Sequence, residues 1–284
     1  MKYFFLILGS KGQLGSNLHK FLKLNKKFKV ETVAKKNAHH NFNLENFDKL
    51  KKLIKYKNYN YIVNCAAHTN LDYCEKNFKK IFKINSLLPK HLSEWSKNYN
   101  FKLVHISTDH IYLNNKNKYN SEKSRIGWFN KYSKSKYLAE KNIKRDSNSL
   151  IIRTNFMDNK KNKKSFLYWL NNCVKLKKEI PLFTDMYTST IDIQNLIKIL
   201  VKLMIKNFHG IYNVGSRNKI SKAEFGMIYL KKIKAKPIIK FVKTNHNLSK
   251  NIRRGRFLGL DVTKIEKRLN MKMPNTKKVI NNLI

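Results

Sequence analysis

The run Tyr3-Phe4-Phe5-Leu6-Ile7-Leu8-Gly9-Ser10-Lys11-Gly12-Gln13-Leu14-Gly15 decides the fold. Its first six residues are apolar or aromatic and read as a short buried strand. The glycine-rich heptad reads as a turn, and Leu14, Leu18, Leu22 and Leu24 follow at roughly helical spacing. In a strand–turn–helix unit the amino end of the helix offers unpaired N–H groups to an anion. The three glycines, spaced GxxGxxG, divide the work. Gly9 permits the tight turn, Gly12 lets a pyrophosphate approach the backbone, and Gly15 lets helix and strand pack closely. An ordinary turn with a helix cap explains the same glycines. The place of the motif, directly after the first strand, favours a dinucleotide site to which Gln13 and Leu14 also belong.

The alternation continues outward from this unit. Phe28–Ala34 reads as a strand, Leu44–Ile54 as a helix and Tyr61–Asn64 as a buried strand. Ile81–Trp95 reads as a helix, Lys102–Ile106 as a strand, Ser133–Ile143 as a helix and Leu150–Ile152 as a strand. This order requires parallel strands joined by crossover helices, so the expected fold class is α/β, a Rossmann-like doubly wound parallel sheet with a smaller C-terminal substrate-binding lobe. The expected division is 1–154 as the dinucleotide-binding domain and 155–284 mainly as the substrate lobe. The 191–215 region, a helix over Ile193–Ile205 and a strand over Ile211–Val214, is expected to pack back on the first domain.

Composition bounds the function. In 284 residues, 42% are hydrophobic and 12% aromatic, too many for a chain that is disordered throughout. No apolar run approaches the roughly 18 residues of a membrane-spanning helix, and no signal-peptide pattern is seen, so no membrane partner and a cytoplasmic location are expected. Cys65, Cys74 and Cys173 lack metal-binding spacing and cannot all pair, which fits reduced thiols and no metal site. The 61 Lys and Arg against 17 Asp and Glu give a net charge of +44, which attracts any polyanion. Only eight of those cations are Arg and there are 37 Asn, spread through every region, as A/T-rich codons would produce. With no DNA- or RNA-binding motif, no specific nucleic acid is expected. The assembly state is left open, a homodimer among the options.

The end of the second strand bears on the cofactor. An NAD site usually places Asp or Glu there for the ribose 2′-hydroxyl, whereas Ala34 is followed by Lys35 and Lys36. With Lys11 in the turn, these ammonium groups favour a 2′-phosphate. NADPH is therefore the expected cofactor, with NADH the alternative.

Tyr132-Ser133-Lys134-Ser135-Lys136 sets a phenol and an ammonium four residues apart on one helix face, where the charge would favour phenolate and the tyrosine can return a proton to a reduced carbonyl oxygen. The pair is common by chance in a chain this rich in Tyr and Lys. Ser107-Thr108-Asp109, at the carboxyl end of a strand, supplies a hydroxyl where such sheets bind ligands, Thr108 holding the substrate oxygen. Asn64-Cys65-Ala66-Ala67 follows another strand, and its small side chains would let a cofactor lie against the backbone.

Together these segments resemble the extended short-chain dehydrogenase/reductases, most closely the dTDP-4-dehydrorhamnose reductase family. The resemblance also draws on His68-Thr69-Asn70-Leu71-Asp72, Arg153-Thr154-Asn155-Phe156, Gly210–Val214, Ile220–Phe225 and Leu260–Lys264. It implies that Tyr132 donates the proton, that Lys136 tunes it and binds the nicotinamide ribose, and that Thr108 bonds the reacting oxygen. It places Gly12, Gln13, Leu14, Asn43, Ala67, His68 and Thr69 around the cofactor and Asp109 and Phe156 near the sugar. The implied activity is NAD(P)H-dependent reduction of a 4-keto-6-deoxy sugar nucleotide, in deoxysugar and cell-surface polysaccharide biosynthesis. The implied partner is a nucleotide-sugar substrate. Asn85 matches a helix asparagine of the family, and a structural hydrogen-bonding role explains it as well. Arg253, Arg254 and Arg256 read either as a pyrophosphate clamp or as solvated surface.

Two other functions share these motifs. An epimerase or dehydratase of the same superfamily recycles bound NAD. The similar dehydratases, however, carry Glu after a Thr-Asp pair where His110 stands here, and Lys35 and Lys36 replace the acidic ribose contact. A non-catalytic regulatory subunit would keep the nucleotide pocket, but the intact set of Thr108, Tyr132 and Lys136 argues for chemistry.

Overall fold

The computed structural model describes residues 3–143, 148–158, 165–244 and 252–284. In chain order the first elements are β1 (Tyr3–Leu8), α1 (Gln13–Lys23), β2 (Phe28–Ala34), β3 (His40–Asn41), α2 (Phe47–Lys55) and β4 (Tyr61–Asn64). There follow α3 (Leu71–Lys76), α4 (Phe78–Phe82), a π-helical turn at Lys83–Leu87, α5 (Leu88–Asn98), β5 (Lys102–Ile106), α6 (Lys131–Asn142) and β6 (Leu150–Thr154). The remainder is β7 (Phe156–Met157), α7 (Phe166–Lys175), β8 (Ile180–Phe183), β9 (Tyr187–Thr188), β10 (Ile191–Asp192), α8 (Ile193–Ile205), β11 (Gly210–Val214), β12 (Ile220–Ser221), α9 (Lys222–Lys232), β13 (Ile239–Val242), β14 (Phe257–Leu258), α10 (Thr263–Leu269) and α11 (Thr276–Asn281).

Seven strands form the main sheet in the order β11-β6-β5-β4-β1-β2-β3. The five pairings from β6 to β3 are all parallel. The apolar runs of β1 and β4 are what strands buried on both faces require, and Phe5, Leu6, Ile7, Leu8, Ile62 and Val63 are wholly shielded. From β1 the chain winds outward through β2 and β3, then returns to start again at β4 on the other side. The carboxyl ends of β1 and β4 therefore flank the switch point where sheets of this kind hold ligands.

The chain divides into two compact units. The first comprises Met1–Ile111, Gly127–Arg153 and Ile197–Tyr212; the second comprises Tyr112–Ile126, Thr154–Leu196 and Asn213–Ile284. They are not consecutive halves with a cut at 154. Ile197–Tyr212 joins the first because the last turns of α8 and the start of β11 complete its sheet, where Tyr61 Oη donates to the carbonyl of Met204 and Gly210 N–H donates to Ser149. Tyr112–Ile126 joins the second, held by Asn120 Nδ2 donating to the carbonyls of Phe257 and Gly259.

The core of the first unit gathers Leu6, Leu8, Val33, Leu50, Ile62, Leu88, Leu92, Trp95 and Leu103. That of the second gathers Leu167, Leu170, Ile180, Leu182, Phe225, Tyr229 and Val279. Here α9 starts on a reciprocal cap: Ser221 Oγ accepts from Glu224 N–H at 3.0 Å and Glu224 Oε2 accepts from Ser221 N–H at 2.6 Å. In the first unit α2 begins at Phe47 rather than Leu44, because Asn46 caps it by accepting from Lys49 N–H.

Candidate active site

The glycine turn is shaped by contacts that only glycine tolerates. Gly9 has φ +76°, and a Cβ there would lie 2.8 Å from the backbone of Ala66, so the loops after β1 and β4 touch at the switch point. A Cβ at Gly15 would lie 2.4 Å from the Gly9 carbonyl oxygen, which fixes how closely α1 meets the turn. Gly12 caps α1 with no side-chain acceptor. Gly12 is exposed and Gln13 half-buried, whereas Leu14 turns into the core and Gly15 is buried.

Lys35 and Lys36 follow β2 and are exposed. The charge of Lys35 reaches His68: burial first, with Lys35 adding to it against the pull of Glu45, holds that imidazole below its ordinary pKa. Ala66 and His68 are half-buried, Ala67 and Thr69 exposed. Asn43 is exposed beside α2, where its Oδ1 accepts from Glu45 N–H at 3.2 Å; its carboxamide serves its own turn.

Asn85 lies in the π-helical turn before α5 and is fully buried. Its Oδ1 accepts from His68 N–H at 2.8 Å, and its Nδ2 donates to the His68 carbonyl and to Ser135 Oγ, both at 2.9 Å. Ser86 Oγ donates to the Ser135 carbonyl at 2.7 Å. The extra residue of a π turn turns Asn85 and Ser86 toward α6, so one segment ties the Ala67–His68 loop to the helix carrying Tyr132 and Lys136.

On α6, Asn130 and Ser133 form a reciprocal cap that sets the start of the helix, one residue before Tyr132. The Thr108 hydroxyl lies near the Tyr132 phenol and favours its ionised form. Burial pushes the phenol up to about 12, with the nearby Thr108 hydroxyl pulling it down and the Asp109 charge adding to the rise. The tyrosine is thus a phenol at neutral pH, not the phenolate that the Tyr–Lys spacing alone suggests. Lys136 is aimed elsewhere: its Nζ donates to the Ile106 carbonyl at 2.7 Å and lies 3.1 Å from His105 Nε2. Burial lowers the Lys136 ammonium to about 8, with Glu140 and Cys65 pulling the other way. Thr108 Oγ1 donates to Asp109 Oδ1 at 3.3 Å and accepts from His110 N–H at 3.2 Å. Asp109 is wholly buried.

Behind these groups lies a buried ion pair that motif reading passed over. Arg153 donates through Nε and Nη2 to Glu140, the shortest contact being 2.7 Å, and Ser107 Oγ donates to Glu140 Oε1 at 2.5 Å. Glu140 stands one turn after Lys136, Arg153 on β6 and Ser107 at the end of β5, so the three side chains lock α6 to the strand end carrying Thr108. The available signal was Arg153, a charged residue inside the apolar run of β6.

Phe156 lies on β7 in the second unit, paired with Ile191 of β10. Arg253 and Arg254 are exposed, and Arg256 Nη2 bonds Asp185 Oδ2 at 3.2 Å. Among the described residues no group of His, Cys, Asp or Glu could hold a metal, and no helix is long and apolar enough to cross a membrane.

The chain is 27% identical over 221 residues to the spore coat polysaccharide biosynthesis protein SpsK of Bacillus subtilis, covering 78% of this chain and 76% of that one. It is 23% identical over 241 residues to the probable low-salt glycan biosynthesis reductase Agl14 of Haloferax volcanii, covering 83% and 80%. Its fold superimposes on dTDP-4-dehydrorhamnose reductase from Bacillus anthracis, solved in complex with NADP, with a TM-score of 0.89 at 24% identity over 100% of this chain and 99% of that one. The sequence profile of the RmlD substrate binding domain family matches residues 1–284 from end to end, and the chain belongs to that family.

Proposed function

We propose that this protein is a dTDP-4-dehydrorhamnose reductase-like enzyme, which reduces the keto group of a 4-keto-6-deoxy sugar nucleotide in the synthesis of a deoxysugar for surface polysaccharide. The observation that carries the reading is that α6, which carries Tyr132, brings Lys136 Nζ to 2.7 Å from the Ile106 carbonyl at the end of β5, two residues before Thr108. Relatives named for glycan and polysaccharide biosynthesis, one of them a reductase, support it.

The Gly9–Gly15 turn fits a dinucleotide. Gly12 presents no side chain to its outer face, and the first turn of α1 has no side-chain acceptor, so its N–H groups suit a diphosphate. Gly9, Gly12, Gln13, Leu14 and Gly15 are assigned to that group. Lys35 and Lys36 are assigned to a 2′-phosphate, in keeping with the NADP in the Bacillus anthracis structure. Ala66, Ala67, His68 and Thr69 are assigned to the face beside β4, with Asn43 at the adenosine side. A bound NADPH would supply a hydride to the carbonyl carbon. The Thr108 hydroxyl can turn from Asp109 to the carbonyl oxygen. Tyr132, protonated throughout the neutral range, gives that oxygen its proton, completing a hydroxyl group. Lys136, a buried ammonium below about pH 8, is assigned to the nicotinamide ribose and to tuning Tyr132 from the same helix.

The dinucleotide role is assigned to the first unit and nucleotide-sugar binding to the second, where Phe156 is the proposed sugar contact; Asp109 is assigned to the substrate as well. The free cysteines Cys65, Cys74 and Cys173 suit the reducing cytoplasm. Purified protein given NADPH is expected to consume it when a 4-keto-6-deoxy sugar nucleotide is added, read as loss of absorbance at 340 nm. If no sugar nucleotide of that class stimulates consumption, the proposal fails.

A further inference from the structure

His105 is wholly buried in β5, in the middle of the sheet. A buried imidazole has to satisfy two ring nitrogens, and here each faces one neighbour. Nε2 lies 3.1 Å from Lys136 Nζ, and Nδ1 lies 3.4 Å from Asn64 Nδ2. An ammonium carries three N–H donors. The Ile106 carbonyl and the His105 ring can take two of them.

The two neighbours ask for opposite tautomers. An ammonium can only donate, so facing Lys136 the ring must accept at Nε2 and carry its proton on Nδ1. Asn64 presents its NH2 group to Nδ1, because its Oδ1 already accepts from Ala66 N–H at 3.2 Å. Flipping the amide would set two donors against each other there. Asn64 therefore favours a ring proton on Nε2. A charge-assisted hydrogen bond is roughly twice as strong as a neutral one, so the ammonium wins while it exists. Once Lys136 loses its proton, the amine can accept from Nε2–H and Asn64 can donate to Nδ1, and both contacts are satisfied.

We propose that His105 is the positioning residue of Lys136: its neutral ring holds the buried ammonium against β5 through Nε2, and its tautomer switches when the lysine is deprotonated. The assignment of a role to Lys136 rests on the reductase reading; the coupling between the two side chains does not. The charged and titratable groups facing the pair are Glu140 from α6 and Cys65 from the loop after β4, both favouring the ammonium. Burial, and then the Lys136 charge, hold the imidazole well below its ordinary pKa, so it is the lysine that titrates, near pH 8.

Imidazole nitrogen shifts of the full-length protein labelled with 15N-histidine test this directly, with the His105 signals identified by their loss in His105→Gln. The expected result is a neutral ring with its proton on Nδ1 at pH 6.5 and on Nε2 at pH 9.5, and a single tautomer at both values in Lys136→Met. One tautomer throughout in the unsubstituted protein, or an imidazolium at pH 6.5, overturns the proposal. In the NADPH assay, His105→Leu should lower kcat by about tenfold or more, with little change in KM, and move the alkaline limb to lower pH. His105→Gln, whose Oε1 can accept from the ammonium, should return kcat to within about threefold. Unchanged kcat and an unmoved limb in a folded His105→Leu protein contradict the positioning role. If that variant does not fold, His105→Gln and the nitrogen shifts still decide. Loss of the reductase reading would show as no sugar-nucleotide activity in any form, with the tautomer switch intact.

Discussion

Replacing Lys136 by Met exchanges a buried ammonium for an apolar chain of similar length and should make stability depend on pH in a defined direction. The Lys136 side chain is almost wholly buried, and burial lowers it from 10.5 to about 8. That drop corresponds to about 3 kcal/mol paid by the folded protein for holding the charge at pH 7. Between pH 8 and 10.5 the unfolded chain keeps this proton and the folded protein does not, so unfolding becomes more costly as pH rises. The native protein therefore gains about 2 kcal/mol from this group between pH 7 and pH 9.5, and the variant gains nothing. Against this, Met leaves the Ile106 carbonyl and His105 without their donor, which costs about 1–3 kcal/mol for each group left unpaired. The pH slope depends only on the protons bound by residue 136 in the folded and unfolded states, so the pH trend isolates the first. Urea unfolding followed by tryptophan fluorescence, to which Trp95 in the core of the first unit contributes, reads the difference. With m near 3 kcal/mol/M, the midpoint gap between variant and native protein should move by about 0.7 M in favour of the native protein from pH 7 to pH 9.5. A gap that stays constant across that range would refute the argument that the ammonium is desolvated.

Removing one partner of a buried pair leaves the other charge stranded, so Arg153→Ala should cost about 3–5 kcal/mol and lower Tm by roughly 10 °C in a thermal melt. Gly15→Ala drives a methyl group against the Gly9 carbonyl and should weaken NADPH binding at least tenfold by fluorescence titration; affinity equal to that of the native protein would mean the turn does not hold the dinucleotide. Burial pushes Glu31 up, but hydrogen bonds from Tyr59, His40 and Lys57 prevail and hold it at about 2. Its contribution is therefore present above pH 4.5 and lost as pH falls toward 2, and Glu31→Gln should flatten the acid limb of the stability curve. In Lys35→Ala/Lys36→Ala protein, the preference for NADPH over NADH should fall about tenfold or more, and an unaltered ratio would remove the 2′-phosphate assignment.

The sheet was legible because its strands announce themselves twice, as unbroken apolar runs and by the helical spacing between them. Ile193–Ile205 appears as a helix in both sequence and structure, since its apolar residues cover most of its circumference. The two-residue strand His40–Asn41 left no such trace; its pairing comes from β2 beside it and not from its own composition. The π turn at Lys83–Leu87 is built from residues that suit an ordinary helix, and only the polar pair Asn85-Ser86 in an apolar stretch hints at it. At the site, spacing alone sets Tyr132 and Lys136 on one helix face, but the aim of a long side chain depends on what it meets. His105 and the Ile106 carbonyl, from a strand about 30 residues earlier, determine where the ammonium rests. Local sequence does not carry such long-range partners, and the same limit hid the contact between Glu140 and Arg153. Nor could the chain order alone reveal that Tyr112–Ile126 leaves the first unit, because the hydrogen bonds that hold it come from Phe257 and Gly259.

The most direct measurement compares native protein with Tyr132→Phe in the NADPH assay, alongside NADPH binding by fluorescence. Without its phenolic proton the site cannot complete the hydroxyl group, so kcat should fall by at least about a hundredfold while the dissociation constant for NADPH stays within about twofold. A Tyr132→Phe protein that turns over a 4-keto-6-deoxy sugar nucleotide at the native rate would contradict the account.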